Sequence, residues 1–291
     1  MSSIYKNSDG SKSWFNTHNI ILANIAWGFL ALLYFLLFSA EVPGANGQAE
    51  RADWYIIGTN IFEAVAYLSA GILCLKNWRS RQIVSGRNVW LLFGIGMLSY
   101  CLGGIVFGII EIYLKQDPST SVADIFFVVT YLFVGIGMIL AVVSRRINLE
   151  GWQWIIVLAI AAFGSALAWL ISQPDPYAAA STEGVSQLKD ILNWFYVVSD
   201  VLLLIIATSL LLAFWGGRAS LPWQMIAVAT FSLYIADIWA KWAENRVVNY
   251  QSGGLLEVGW VLSGVLFGMG AALEHQASSN RSRRERGRKR I

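Results

Sequence analysis

Eight long runs in which apolar residues follow one another almost without charge make up most of the chain. They lie at 19–40, 54–75, 88–114, 121–144, 152–172, 190–215, 221–243 and 254–273. Each is close to the roughly 20 residues that a helix needs to cross a hydrocarbon core. Inside lipid every backbone N–H and C=O must find its partner within the fold, so uninterrupted apolar runs of this length predict helices. The pattern therefore predicts an all-α polytopic membrane protein, a bundle of eight transmembrane helices. Its divisions are an N-terminal segment 1–18, a transmembrane domain 19–275 and a basic, disordered tail 276–291. Cleavage of the first run as a signal peptide, after Ser39 and Ala40, would leave seven crossings. A signal core is 7–15 residues long behind a positive leader, and this run is longer and its leader mostly polar.

Composition agrees with the pattern. Of 291 residues, 56% are hydrophobic and 13% charged, against about 25% charged in soluble domains. Trp27, Trp54, Trp78, Trp90, Trp152, Trp154, Trp223 and Trp260 sit near run ends, as the aromatic belt of headgroup-level side chains requires. The runs leave no room for a kinase, cyclase or nucleotide-hydrolysing domain of ordinary size. No Walker sequence, HExxH, GxSxG or Cys/His cluster occurs. The expectation is a non-enzymatic protein without cofactor or metal, with Cys74 and Cys101 as buried small residues and His18 and His275 at the membrane surface.

Charge placement orients the bundle. With both termini cytoplasmic, all but Arg51, Lys115, Lys189, Lys241 and Arg246 of the 21 Lys and Arg fall on the inner side, as the positive-inside rule demands. The net charge of +3 is concentrated in the tail. There Arg281, Arg283, Arg284, Arg286, Arg288, Lys289 and Arg290 read as contacts to anionic lipid or to an acidic protein partner. Nucleic acid is not an expected partner, because the tail has no aromatic residue for stacking.

The acids inside the apolar runs are the informative residues. A carboxylate at mid-membrane costs about 2.5–3.5 kcal/mol on insertion scales, so such groups face the interior and mark function. Helical spacing gathers them into stripes. Asn60, Glu63, Tyr67 and Gly71 share one face of the second helix; Asn193, Tyr196 and Asp200 share one face of the sixth; and Thr230, Tyr234, Asp237, Lys241 and Glu244 share one face of the seventh. Asp237 and Lys241 are spaced to pair. In the orientation above Glu63, Asp124, Asp200, Asp237 and Glu257 all lie toward the outer side. With Asn60, Tyr196, Tyr250 and Trp260 they predict an acidic, outward-facing pocket for a small cation, proton or amine. The competing expectation is that these acids pair with Lys115, Lys241, Arg246, tyrosine hydroxyls or asparagine amides and hold helices together.

Glycine and proline refine the picture. All five prolines fall in loops or first turns, so the Pro/Gly-broken helices of secondary transporters are missing. Gly104 with Gly108, and Gly264 with Gly268, are spaced for close helix packing, more readily inside the bundle than between copies.

Three segments, read in order, carry a resemblance. They are Pro118-Ser119 with Ala123-Asp124-Ile125-Phe126-Phe127, Tyr131 and Gly135; Tyr196-Val197-Val198-Ser199-Asp200-Val201-Leu202-Leu203-Leu204; and Ala236-Asp237-Ile238-Trp239 with Tyr250, Gly253, Glu257, Trp260, Gly268 and Ala271-Ala272. Over about 110–275 the chain resembles the multi-helix integral-membrane sensory regions found N-terminal to bacterial GGDEF/EAL proteins and sensor histidine kinases. The resemblance implies receipt of an environmental or membrane signal, with Asp124, Asp200, Asp237, Tyr250, Glu257 and Trp260 as the matching positions. It also implies a bacterial inner membrane or an internal thylakoid-type membrane. The chain departs from the pattern after 275, where no linker or output domain follows, so a signal would pass through a partner. The expected function is a sensory or accessory membrane protein. The alternatives are a structural or assembly subunit of a larger membrane complex and, less well supported by the nearly acid-free inner half, a transporter or channel for a small cation.

Overall fold

The computed structural model describes residues 16–43, 49–83, 85–116, 120–144, 149–173, 187–214, 221–246 and 250–288. It is an all-helical bundle. The helices are α1 (Thr17–Phe38), α2 (Asp53–Arg79), α3 (Arg87–Gly108), α4 (Ala123–Ser144), α5 (Gly151–Ser172), α6 (Gln187–Ala213), α7 (Leu221–Arg246) and α8 (Val258–Arg288). A π-helical turn, Ile109–Tyr113, extends α3, and a 3-10 turn, Leu255–Glu257, leads into α8. Eight helices are long and apolar enough to cross a membrane. The strand content among the described residues is one antiparallel pair of two-residue strands, Val42–Pro43 with Ala49–Glu50.

Local chemistry sets the helix ends. α5 opens with a capping box between Glu150 and Gln153, which satisfies two of the amides a helix start leaves without acceptors. At α4 the Asp124 carboxylate accepts the Ser121 N–H at 2.8 Å. Pro222 lies in the first turn of α7, where its missing N–H costs nothing.

Six helices form a closed ring in the order α2, α3, α4, α6, α7, α8, with α8 returning to α2. α1 packs outside the ring on α8 and α2, and α5 packs outside it on α6 and α7. The core holds Tyr67, Trp90, Phe93, Met97, Met138, Leu210, Trp223, Ile226 and Phe267. Ring closure depends on small residues. A Cβ on Gly264 would stand 3.0–3.1 Å from Ala66 and the Tyr67 amide, and one on Gly108 would stand 2.8 Å from the Asn60 carboxamide. The glycine pairs thus pack helices inside the bundle. The outer faces of the helices are apolar, with Ile155, Phe163, Trp169, Ile125 and Leu37 each more than half exposed. In water such faces would be association sites; in lipid they are the ordinary surface.

The expected break at 275 does not occur, and α8 continues to Arg288. Nothing in 276–286 stops a helix, since there is no proline and the first glycine is Gly287. Glu274 and Ser278, one turn apart, are both buried and tie the extension to the ring. Arg281 lies on this helical segment and is exposed. The side chains of Arg283, Arg284, Arg286 and Arg288, and all of Lys289 and Arg290, lie outside the described residues.

Candidate functional site

Three of the predicted residues meet around a fourth side chain, Tyr131 of α4. Its hydroxyl oxygen lies 2.7 Å from Oδ1 of Asp200 on α6 and 2.8 Å from Oδ2 of Asp237 on α7. Trp260 of α8 donates its indole N–H to Oδ1 of Asp237 at 2.7 Å. Four ring helices are thereby joined at one point. Asp200 is 6% exposed and Tyr131 7%, so water does not serve as their general partner.

Counting hydrogens fixes what this arrangement can do. A phenol carries one donor hydrogen and a carboxylate none. Tyr131 can therefore donate to only one of its two carboxyl neighbours. One phenol hydrogen cannot serve both contacts, so the two aspartates compete for the Tyr131 donor unless one of them carries a proton. Asp237 also accepts from Trp260, so a donor chain that starts at an Asp200 carboxyl and passes through Tyr131 ends on Asp237, which takes both donors.

The other predicted residues form neighbouring groups. Asp124 accepts from the Tyr196 hydroxyl at 2.7 Å, and the Tyr196 and Tyr131 rings lie 5.5 Å apart, which places this pair beside the cluster, toward the N-terminal end of α4. Glu257, 2% exposed, is a turn-locking residue. It accepts the backbone N–H of Gly253 at 2.6 Å and of Gly254 at 3.0 Å, and also the Tyr250 hydroxyl. Gly253 has φ +98°, a conformation that glycine adopts without strain. Burial and the Glu257 carboxylate hold the Tyr250 hydroxyl well above the usual phenol range, so it stays a neutral donor. Asn60 and Glu63 stand apart on α2. Asn60 donates to its own helix at Ile56 O, 2.9 Å, and Glu63 faces Gly104 of α3 beside Tyr100.

The expected Asp237–Lys241 pair is not made. Lys241 instead pairs with Asn193 and, one turn further along α7, with Glu244 at 3.3 Å, while the Asp237 carboxylate is occupied by Tyr131 and Trp260. Lys115 pairs with Asp53 at 2.8 Å. The cavity that adjoins Tyr131, lined also by Tyr67, Tyr100, Thr130 and Ser263, measures about 10 Å³, room for about one water. Among the described residues no group of three or more His, Cys, Asp or Glu could hold a metal ion.

Sequence reasoning passed over Tyr131 as a site residue, although it lies two helical turns from Asp124 on the same face. It also missed Glu274. That buried carboxyl accepts from Ser85 at 2.6 Å and from Ser278 at 3.1 Å, and the Trp90 indole N–H donates to Ser85 at 2.8 Å. The end of the bundle expected to be nearly free of acids thus has one in its core. No family model, no curated protein and no solved structure matches the chain.

Proposed function

We propose that this chain is a non-enzymatic membrane sensory or accessory protein, with both termini cytoplasmic, whose responsive element is the Asp200–Tyr131–Asp237 cluster. The observation that carries the reading is one phenol hydroxyl, that of Tyr131, within hydrogen-bond distance of two aspartates on different helices, which we read as a pair sharing one proton. The space of about 10 Å³ beside Tyr131 is too small for an organic amine, and two aspartates bridged by one phenol favour a proton over a metal cation as the ligand. Loss or gain of that proton changes the hydrogen-bond partners of α4, α6, α7 and α8 together, which is the kind of local charge event that biases a packed bundle between two arrangements. The output passes to a partner through the inner end, where the basic extension of α8 lies.

A second reading has its own support. Asp124, Asp200, Asp237 and Glu257 all have hydrogen-bond partners within the fold, as a purely helix-holding network requires, and this favours a structural subunit of a larger membrane complex.

The experiment is affinity capture of the tagged protein at native level in mild detergent, comparing wild type, Asp200→Asn and a variant lacking residues 278–291. A signalling protein whose recovery depends on the tail and changes with Asp200→Asn supports the sensory reading. Integral-membrane subunits recovered in fixed ratio from all three samples overturn it in favour of the structural one.

A further inference from the structure

A second feature lies at the opposite end of the bundle from the predicted acidic pocket, beside the start of the basic stretch that begins at Arg281. Between the first turn of α1 and the ends of α2 and α8 lies a cavity of about 390 Å³, within the range that binds small molecules and headgroups. Its polar walls include Asn16, which precedes α1, and Thr17 of α1, Lys76 of α2, and His275, Gln276 and Asn280 of α8. None of its described lining residues is acidic, although the neighbouring α8 residue Glu274 is an acid. That carboxyl is turned away, into the Ser85 contact.

The lining is graded by depth. On each helix the apolar lining residues sit further from the helix end than the polar ones. Ile20 lies deeper than Asn16 and Thr17, Leu73 deeper than Lys76, and Ala271 and Ala272 deeper than His275, Gln276 and Asn280. The cavity is polar and cationic at its mouth and apolar at its floor. α1 begins here with no acid in its first turn and no side-chain cap from Asn16, so its first amides and the positive end of its dipole add to the same field.

We infer that this cavity binds the phosphodiester headgroup of an anionic phospholipid. Lys76 supplies the cation, the Asn280 and Gln276 amides and the Thr17 hydroxyl supply donors, and the apolar floor takes the glycerol and the start of the acyl chains. A free phosphate shares the anionic chemistry but has no use for the floor, and the grading favours the lipid. The inference does not rest on the proton cluster; it depends on the proposed orientation only for the leaflet from which the lipid comes.

The test reconstitutes the full chain in nanodiscs of phosphatidylcholine with a minor fraction of phosphatidylglycerol, then counts retained lipids by native mass spectrometry. Wild type retains phosphatidylglycerol in preference to phosphatidylcholine, and Lys76→Glu lowers that preference by about tenfold, the worth of one charge-assisted contact. Lys76→Arg restores it, which separates loss of the site from loss of the fold. A parallel melt with inorganic phosphate distinguishes the sources. Thermal stabilisation by phosphate that Lys76→Glu abolishes, without lipid preference, overturns the lipid assignment. Equal retention of both lipids by wild type, or unchanged preference in Lys76→Glu, overturns the site.

Discussion

Asp200 and Asp237 look equivalent in sequence and are not equivalent in place. Asp237 accepts from Trp260 and Tyr131, whereas Asp200 has Tyr131 and the Asp237 carboxyl itself as side-chain partners and no indole donor. An asparagine at 200 presents an N–H where the carboxyl hydrogen stood, so Asp200→Asn keeps the donor chain and should leave thermal stability within about 0.5 kcal/mol. Infrared spectra of the protein in nanodiscs should lose the protonated-carboxyl band in the same variant; a band that persists places the proton elsewhere. Asp237→Leu strands the Trp260 N–H and should cost about 1–3 kcal/mol, read as a lower unfolding midpoint in detergent. Tyr131→Phe removes the hydrogen that bridges the two carboxyls and should cost a similar amount. The acids were legible in sequence because an apolar run makes each carboxylate conspicuous. Tyr131 was not, since a tyrosine in a membrane helix is commonplace and its value comes from three helices meeting at its oxygen. Glu274 was hidden for the opposite reason: it lies beyond the last apolar run, where an acid seems ordinary, and only the fold puts Ser85 and Ser278 against it.

At the scale of the elements, run lengths and charge boundaries carried most of the information. All eight apolar runs correspond to helices long and apolar enough to cross a membrane, with ends displaced by a few residues where capping decides, as at Glu150 and Gln153. The end of α8 was misjudged because hydropathy reports where lipid stops, and a helix can continue into water when no residue breaks it. Close approach between helices gives a further test. Gly264→Leu drives a large side chain into Ala66 and the Tyr67 backbone, where the nearest atoms already stand at 3.0–3.1 Å from a single added carbon. It should prevent normal packing of α8 on α2 and lower the yield of folded monomer by gel filtration. Gly253→Ala combines φ +98° with a Cβ only 2.8 Å from the Tyr55 ring; it should cost about 1–3 kcal/mol and loosen the turn that carries Glu257, measured as faster hydrogen exchange at residues 253 and 254.

For the whole molecule, the ring of six helices with α1 and α5 outside was not readable from periodicity. Nearly every run is apolar around its full circumference, so no stripe says which neighbour it meets, and the glycines that decide adjacency are too numerous to single out. The orientation, in contrast, is a whole-chain property that charge counting predicts. Single cysteines at Ser80 and at Ser252, in a Cys74→Ala, Cys101→Ala background, should label from opposite sides of the membrane with an impermeant maleimide, Ser80 from the cytoplasm.

The ring's closing contact joins α8 to α2, so the chain's late and early parts meet face to face. During synthesis α2 enters the membrane with the surface around Ala66 and Tyr67 exposed, and its cover is still untranslated. At about 5–20 residues per second, the interval between Arg79 and Val258 is on the order of ten to forty seconds. Through that interval the nascent bundle is an open arc whose Ala66–Tyr67 face, the one Gly264 later covers, meets lipid or a chaperone. A ribosome stall or premature stop between α7 and α8 therefore leaves an arc with two unsatisfied edges. Such a fragment should be cleared by membrane quality-control proteases far faster than the full chain, a difference that a pulse-chase comparison of the two lengths would read directly.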